Sequence, residues 1–141
     1  MDLSHLVGQK VGSSTLLEEI ARGSMGAVFV GFQSSLKRQI AVKVVPKTIV
    51  TPLTANIFQQ EAELAAILSH PNIIPVYEVG DAGEFLFLAM QLVKGKPLSF
   101  FIKRSHKNLL PSKRTLPLNI TVKIIISVLE ALDYAHSQSI I

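Results

Sequence analysis

Three groups of residues in this sequence are of types that manage charge at close quarters. The first is the turn Ala21-Arg22-Gly23-Ser24-Met25-Gly26-Ala27-Val28. Glycines let a backbone come close to a ligand, and the exposed N–H groups of such a turn can cradle phosphate. A plain hairpin turn with two glycines is the simpler reading of these residues taken alone. The second is Lys43 in Ile40-Ala41-Val42-Lys43-Val44-Val45. Strand alternation puts Ala41, Lys43 and Val45 on one face and Ile40, Val42 and Val44 on the other. With both faces covered, the ammonium must find an anion or lose its proton; on an edge strand it would simply point to water. The third is Glu61. Ile57, Glu61, Leu64 and Leu68 recur at spacings of 4, 3 and 4, which on a helix places them within about 60° of one another. A carboxylate inside such an apolar stripe needs a cation or a proton donor. Lys43 is the natural candidate, and a partly exposed, unpaired glutamate is the alternative. Glu63 faces the other way.

Together the three form one device: a phosphate-cradling hairpin, a lysine that holds nucleotide phosphates, and a glutamate that holds the lysine. Short strands must position it. Leu17–Ala21, Gly26–Phe32 and Gln39–Val45 alternate with turn residues, then Ala55–Ser69 reads as a helix rich in Ala, Leu, Gln and Glu. Two further strands, Ile74–Val79 and Phe85–Leu92, flank the turn at Gly80-Asp81-Ala82-Gly83-Glu84. Helices are expected over Leu98–Arg104 and from about Leu118 to His136. Five strands with one inserted helix predict an α+β fold on an antiparallel sheet. Residues 1–16 read as a polar lead-in, 17–93 as the sheet unit with its helix, and 94–141 as the start of a second, helical part.

Composition narrows the classes. The chain has 141 residues, 48% apolar and 17% charged, with no cysteine, and a mean hydropathy of +0.40. That excludes global disorder, a disulfide framework, thiolate zinc sites and cysteine nucleophiles. No apolar run reaches the length of a membrane span, and Met1-Asp2-Leu3-Ser4-His5 lacks the basic and apolar regions of an export signal. A cytoplasmic location is expected. The net charge of +4 hides an asymmetry: −2 over residues 1–93, +8 over 94–123, and −2 over 124–141. The basic stretch holds Lys103, Arg104, Lys107, Lys113 and Arg114, and only Phe100 and Phe101 could stack on bases. A solvated connection is the expectation, and no nucleic-acid partner.

With these residues in place, the sequence resembles a protein kinase, of the bacterial Ser/Thr type related to eukaryotic kinases. Residues 21–28 resemble the family's Gly-rich loop, and Ile40-Ala41-Val42-Lys43 its V-A-I-K strand. Glu61 matches the helix-C glutamate. Leu68-Ser69-His70-Pro71-Asn72-Ile73-Ile74 resembles the entry into the fourth family strand, and Phe87 to Gly95 the fifth strand and hinge. Ala131-Leu132-Asp133-Tyr134-Ala135-His136 resembles the end of helix E. The resemblance implies a kinase N-lobe, a five-stranded antiparallel sheet plus helix C, followed by helices D and E of an incomplete C-lobe. It implies an ATP site made by Ile20, Ala21, Gly23, Ser24, Met25, Gly26, Val28, Ala41, Lys43, Met90, Gln91 and Val93. Met90 would be the gatekeeper, while the Gln91 carbonyl and Val93 amide would meet the adenine edge. The implied activity is transfer of the γ-phosphoryl of ATP to protein Ser/Thr hydroxyls, with ATP and Mg²⁺ as cofactors.

Two departures qualify this. Ala21 stands where the family has the first glycine of its loop. The catalytic loop with its general base and the Asp-Phe-Gly Mg²⁺ ligand do not occur in residues 1–141, so this chain by itself is expected to be inactive and to hold no metal. On the helix from Leu118, residues Ile120, Ile124, Ile125, Val128, Leu129, Ala131, Leu132 and Ala135 cover about 180° of arc. An exposed apolar patch that a protein partner would cover is expected there, on helix 118–136. A non-catalytic nucleotide-binding or kinase-docking module is the alternative function. An unrelated α+β binding domain is a third.

Overall fold

The computed structural model describes residues 2–107 and 115–140, excepting the side chains of Pro52, Leu53, Thr54, Ile57, Glu61 and Ala65. The chain divides into two units, Met1–Ser69 with Ile73–Leu92, and His70–Asn72 with Val93–Ile141.

Six antiparallel strands make the sheet of the first unit: β1 (Lys10–Val11), β2 (Ser14–Gly23), β3 (Gly26–Gln33), β4 (Arg38–Pro46), β5 (Val76–Ala82) and β6 (Phe85–Gln91). Their order is β1-β2-β3-β4-β6-β5. The five expected strands are all present, and β1 is an addition from the lead-in. The Gly/Ser content around Gly12-Ser13-Ser14 masked the start of β2, although Ser14 and Leu16 are both fully buried. β5 starts at Val76 rather than Ile74 because Pro75 has no N–H for the ladder. The Pro75 carbonyl instead accepts the Gln91 N–H at 3.1 Å.

The two sheet faces differ in what covers them. Leu16, Ala27, Phe29, Ile40, Val42, Val44, Phe87 and Ala89 lie on the back face, all within 3% of full burial. Leu3, Leu6 and Val11 complete this core, so the lead-in is a lid on the back of the sheet. Leu3 precedes and Leu6 ends a short 3-10 turn, Ser4–Leu6, which lets them point the same way at a spacing of three. Burying each large apolar side chain here contributes about 1.5–3 kcal/mol.

Helix α1 (Pro52–Ile67) packs against β5. Pro52 opens it, where a missing N–H costs nothing, and the Thr51 carbonyl accepts the Ala55 N–H at 2.9 Å. Of the expected stripe, Leu64 is 44% exposed and Leu68 half-buried, and the Ile57 and Glu61 side chains lie outside the described ones; Ala62 is buried and Ala55 and Phe58 half-buried. Apolar residues encircle this helix, so spacing alone could not select the packed face.

In the second unit, α2 (Leu98–His106) and α3 (Leu118–Ser137) run two residues and one residue longer than expected. His70 stacks on Tyr134 with ring centroids 5.3 Å apart, and Asn72 Nδ2 donates to the Ser127 carbonyl at 3.1 Å. The His-Pro-Asn segment is thereby fastened to α3. Along α3, Ile120, Val122, Ile125, Ile126, Val128, Leu129 and Leu132 are each about half exposed; five of these belong to the expected arc, Val122 and Ile126 extend it, and Ile124, Ala131 and Ala135 of that arc are half-buried.

Candidate functional site

The glycine turn closes the β2–β3 hairpin. Gly23 pairs with Gly26, leaving Ser24-Met25 as a two-residue connection. Gly26 has φ of +145°, and a Cβ there would run into the Val44 carbonyl oxygen. Only glycine lets the hairpin sit this closely on β4. A Cβ on Gly23 would meet nothing closer than 4.0 Å. The two glycines therefore differ: Gly26 seats the turn and Gly23 keeps its rim low.

Lys43 is reached by strand register. It stands opposite Val28 on β3 and opposite Leu88 on β6, so β4 is an interior strand. The edge-strand reading of Lys43 is thereby excluded. Its side chain is half-buried on the front face, opposite the core. A cavity of about 360 Å³ lies there, lined by Ala21, Arg22, Gly23, Ser24, Met25, Gly26, Val28 and Lys43. One rung further along the same face, Ala41 pairs with Met90. The arrangement offers backbone N–H groups and one ammonium to an anion; Ala41 and Met90 lie on the same face of the sheet but do not line the cavity.

Other expected residues fall elsewhere. Ile20 is 47% exposed and does not line the cavity; the register shift between Glu19 and Ala21 makes it a bulge residue. Gln91 ends β6 on the exposed side, its N–H engaged by Pro75. Val93 belongs to the second unit and is 61% exposed. Glu61 sits on α1 next to the buried Ala62, and its side chain lies outside the described ones. Among the described residues no group of three or more His, Cys, Asp or Glu could hold a metal, and no helix is long and apolar enough to cross a membrane.

Arg22 is the residue sequence reasoning passed over. Its Nε and Nη2 donate to Glu19 Oε1 and Oε2 at 2.7 and 2.5 Å, and Nη2 also donates to Asp2 Oδ1 at 3.1 Å. Asp2 in turn accepts the Ser4 N–H at 3.0 Å and the Ser4 hydroxyl at 2.5 Å. The Ser4 donors, then Arg22, hold the Asp2 carboxyl well below the usual carboxylate range. The Arg22 hydrogen bonds lower Glu19, and both acids, Glu19 foremost, raise Arg22.

Comparison with known proteins places this geometry in context. The family described as "Protein kinase domain" matches residues 14–141. The Myxococcus xanthus serine/threonine-protein kinase pkn3 is 34% identical over 145 residues, covering 99% of this chain and 25% of that protein. Serine/threonine-protein kinase PknD of Chlamydia muridarum is 29% identical over 131 residues, covering 89% of this chain and 14% of that protein. The chain thus spans a quarter or less of the length of these relatives. Among solved structures, the PknI kinase domain of Mycobacterium tuberculosis superposes with a TM-score of 0.80 at 27% identity, covering 98% of this chain and 54% of that one.

Proposed function

The chain belongs to the protein kinase domain family, and from that premise we propose that it is the ATP-binding N-terminal portion of a Ser/Thr protein kinase. The observation that carries this is the rung between Val28 and Lys43, which sets an ammonium beneath a glycine hairpin at the mouth of a cavity. In this reading the backbone N–H groups of the turn and the Lys43 ammonium receive the phosphates of ATP, and Val28, Ala41 and Met90 form the floor under the base. Ala21 in place of a glycine is compatible, because Gly23, the second glycine of the pattern, remains to let phosphate come close to the backbone. Glu61 would hold Lys43 in place, Gln91 and Val93 would meet the adenine edge, and Ile20 would contribute only from the rim.

ATP supplies the transferable γ-phosphoryl group. This chain's residues bind and orient the nucleotide and offset the charge of its phosphates. Mg²⁺, which the family reading implies, is assigned no ligand among the described residues. In this reading the exposed apolar face of α3 is a surface that other protein would cover. A kinase-docking module is the second reading, favoured by that same uncovered face.

The test is transfer of labelled γ-phosphate from ATP to Ser or Thr by the longest native product carrying these residues. Transfer abolished by Lys43→Met is expected, and the isolated 141-residue chain should transfer none. Transfer by the isolated chain, purified free of other kinases, would contradict the reading.

A further inference from the structure

We propose that Arg22 is a positioning residue for the glycine turn, anchored by a strap formed from residues 2–6 on the back of the sheet. The proposal rests on the nucleotide reading for what the turn does, but not for how the turn is held.

The argument begins with strand phase. Residues three apart on a regular strand point to opposite faces, so Glu19 and Arg22 should not meet. The bulge at Ile20 adds one residue to β2 and restores the phase. Glu19 now pairs with Phe29 and Arg22 with Ala27, both back-face core residues, whereas Ala21 pairs with Val28 on the Lys43 side. The Arg22 guanidinium is therefore engaged on the side of Glu19 and Asp2, toward the face that the N-terminal residues cover. There it meets a planar, two-pronged carboxylate partner in Glu19 and a second acceptor in Asp2.

Asp2 is not a floating surface acid. Leu3 and Leu6 are buried to within 3%, and the two Ser4 donors fix the carboxylate that Arg22 contacts. An exposed ion pair normally does little because its long side chains must be ordered first. In this case buried leucines and a bulge have already done that ordering. Arg22 immediately precedes Gly23, so fixing its side chain limits the swing of the Gly23–Gly26 turn over Lys43. The Ser24-Met25 connection, flanked by two glycines, has little of its own to restrain it.

Amide hydrogen exchange of residues 23–27 in the full 141-residue chain tests this without any nucleotide. Asp2→Asn and Arg22→Ala should each raise exchange there by about three- to tenfold, with residues 40–45 unchanged, and the double variant should exceed neither single by more than about twofold. Arg22→Lys, which keeps the charge but loses the fork, should restore part of the protection. Unchanged exchange in Arg22→Ala, or fully additive effects in the double variant, would overturn the strap. Titration with ATP separates the two readings. Raised exchange with no Lys43-dependent ATP binding supports the strap and removes the nucleotide site. Lys43-dependent binding with unchanged exchange removes the strap alone.

Discussion

Val28 and Lys43 stand directly opposite one another across the β3–β4 ladder. The strand that leads out of the glycine turn and the strand that carries the lysine are therefore held in fixed register. Their relation depends on register, and register is held by the back-face core of Phe29, Val42 and Val44.

The first prediction concerns the seat of the turn. Gly26→Ala should destabilise the chain by about 1–3 kcal/mol, because it combines a positive φ with a clash against backbone that cannot yield. Gly23→Ala meets no close neighbour and should cost less than about 1 kcal/mol. Urea unfolding of the two variants makes the comparison. Equal losses would remove the distinction between the glycines.

The second concerns the N-terminal residues as part of the core. Leu6→Ala should cost about 2–4 kcal/mol, as for a fully buried leucine. Leu36→Ala, at a residue 60% exposed, should cost under about 0.5 kcal/mol. If Leu6→Ala were equally mild, the lead-in would not be a lid on the sheet.

The third is a pH dependence. Asp2 and Glu19 have folded pKa values below their ordinary ones of 3.8 and 4.5. Their contribution to holding Arg22 is therefore complete above those ordinary values and is lost as pH falls through the lowered ones. Arg22 stays charged throughout. Protection of residues 23–27, corrected for intrinsic exchange, should be flat from about pH 8 to pH 5 and decline only below about pH 4. A decline centred near about pH 6.5 would implicate a histidine instead.

The fourth concerns α3. Ile125→Glu with Leu129→Glu, both at half-exposed positions, should leave the helix formed and reduce self-association and dye binding of the isolated chain. Unchanged association in analytical ultracentrifugation would show that this face is not the adhesive one.

Much of this architecture was legible in the sequence, and the exceptions have physical causes. Alternation around Lys43 gave its face correctly because β4 is a regular interior strand. The apolar arc of α3 overlaps its exposed face at Ile120, Ile125, Val128, Leu129 and Leu132, while Val122 and Ile126 lie outside that arc. On α1 apolar residues surround the helix, so spacing does not single out a packed face: Leu64 of the expected stripe is exposed while the small Ala62 beside it is buried. Ile20 belongs to the expected site through the family resemblance alone, and the bulge at which it sits breaks the two-residue period without leaving a mark in composition. The N-terminal lid was hidden for a similar reason. Leu3 and Leu6 are only two apolar residues among polar ones, and their spacing of three becomes meaningful only once the 3-10 turn is known.

The most direct test of the central claim is binding of a fluorescent ATP analogue to the 141-residue chain and to Lys43→Met, with circular dichroism confirming that both are folded. The account predicts weak, saturable binding, no tighter than about micromolar, that falls at least about tenfold in the variant, a loss of about 1.4 kcal/mol. Equal affinity in both proteins would contradict it, because the ammonium beneath the glycine turn would then have no part in holding phosphate.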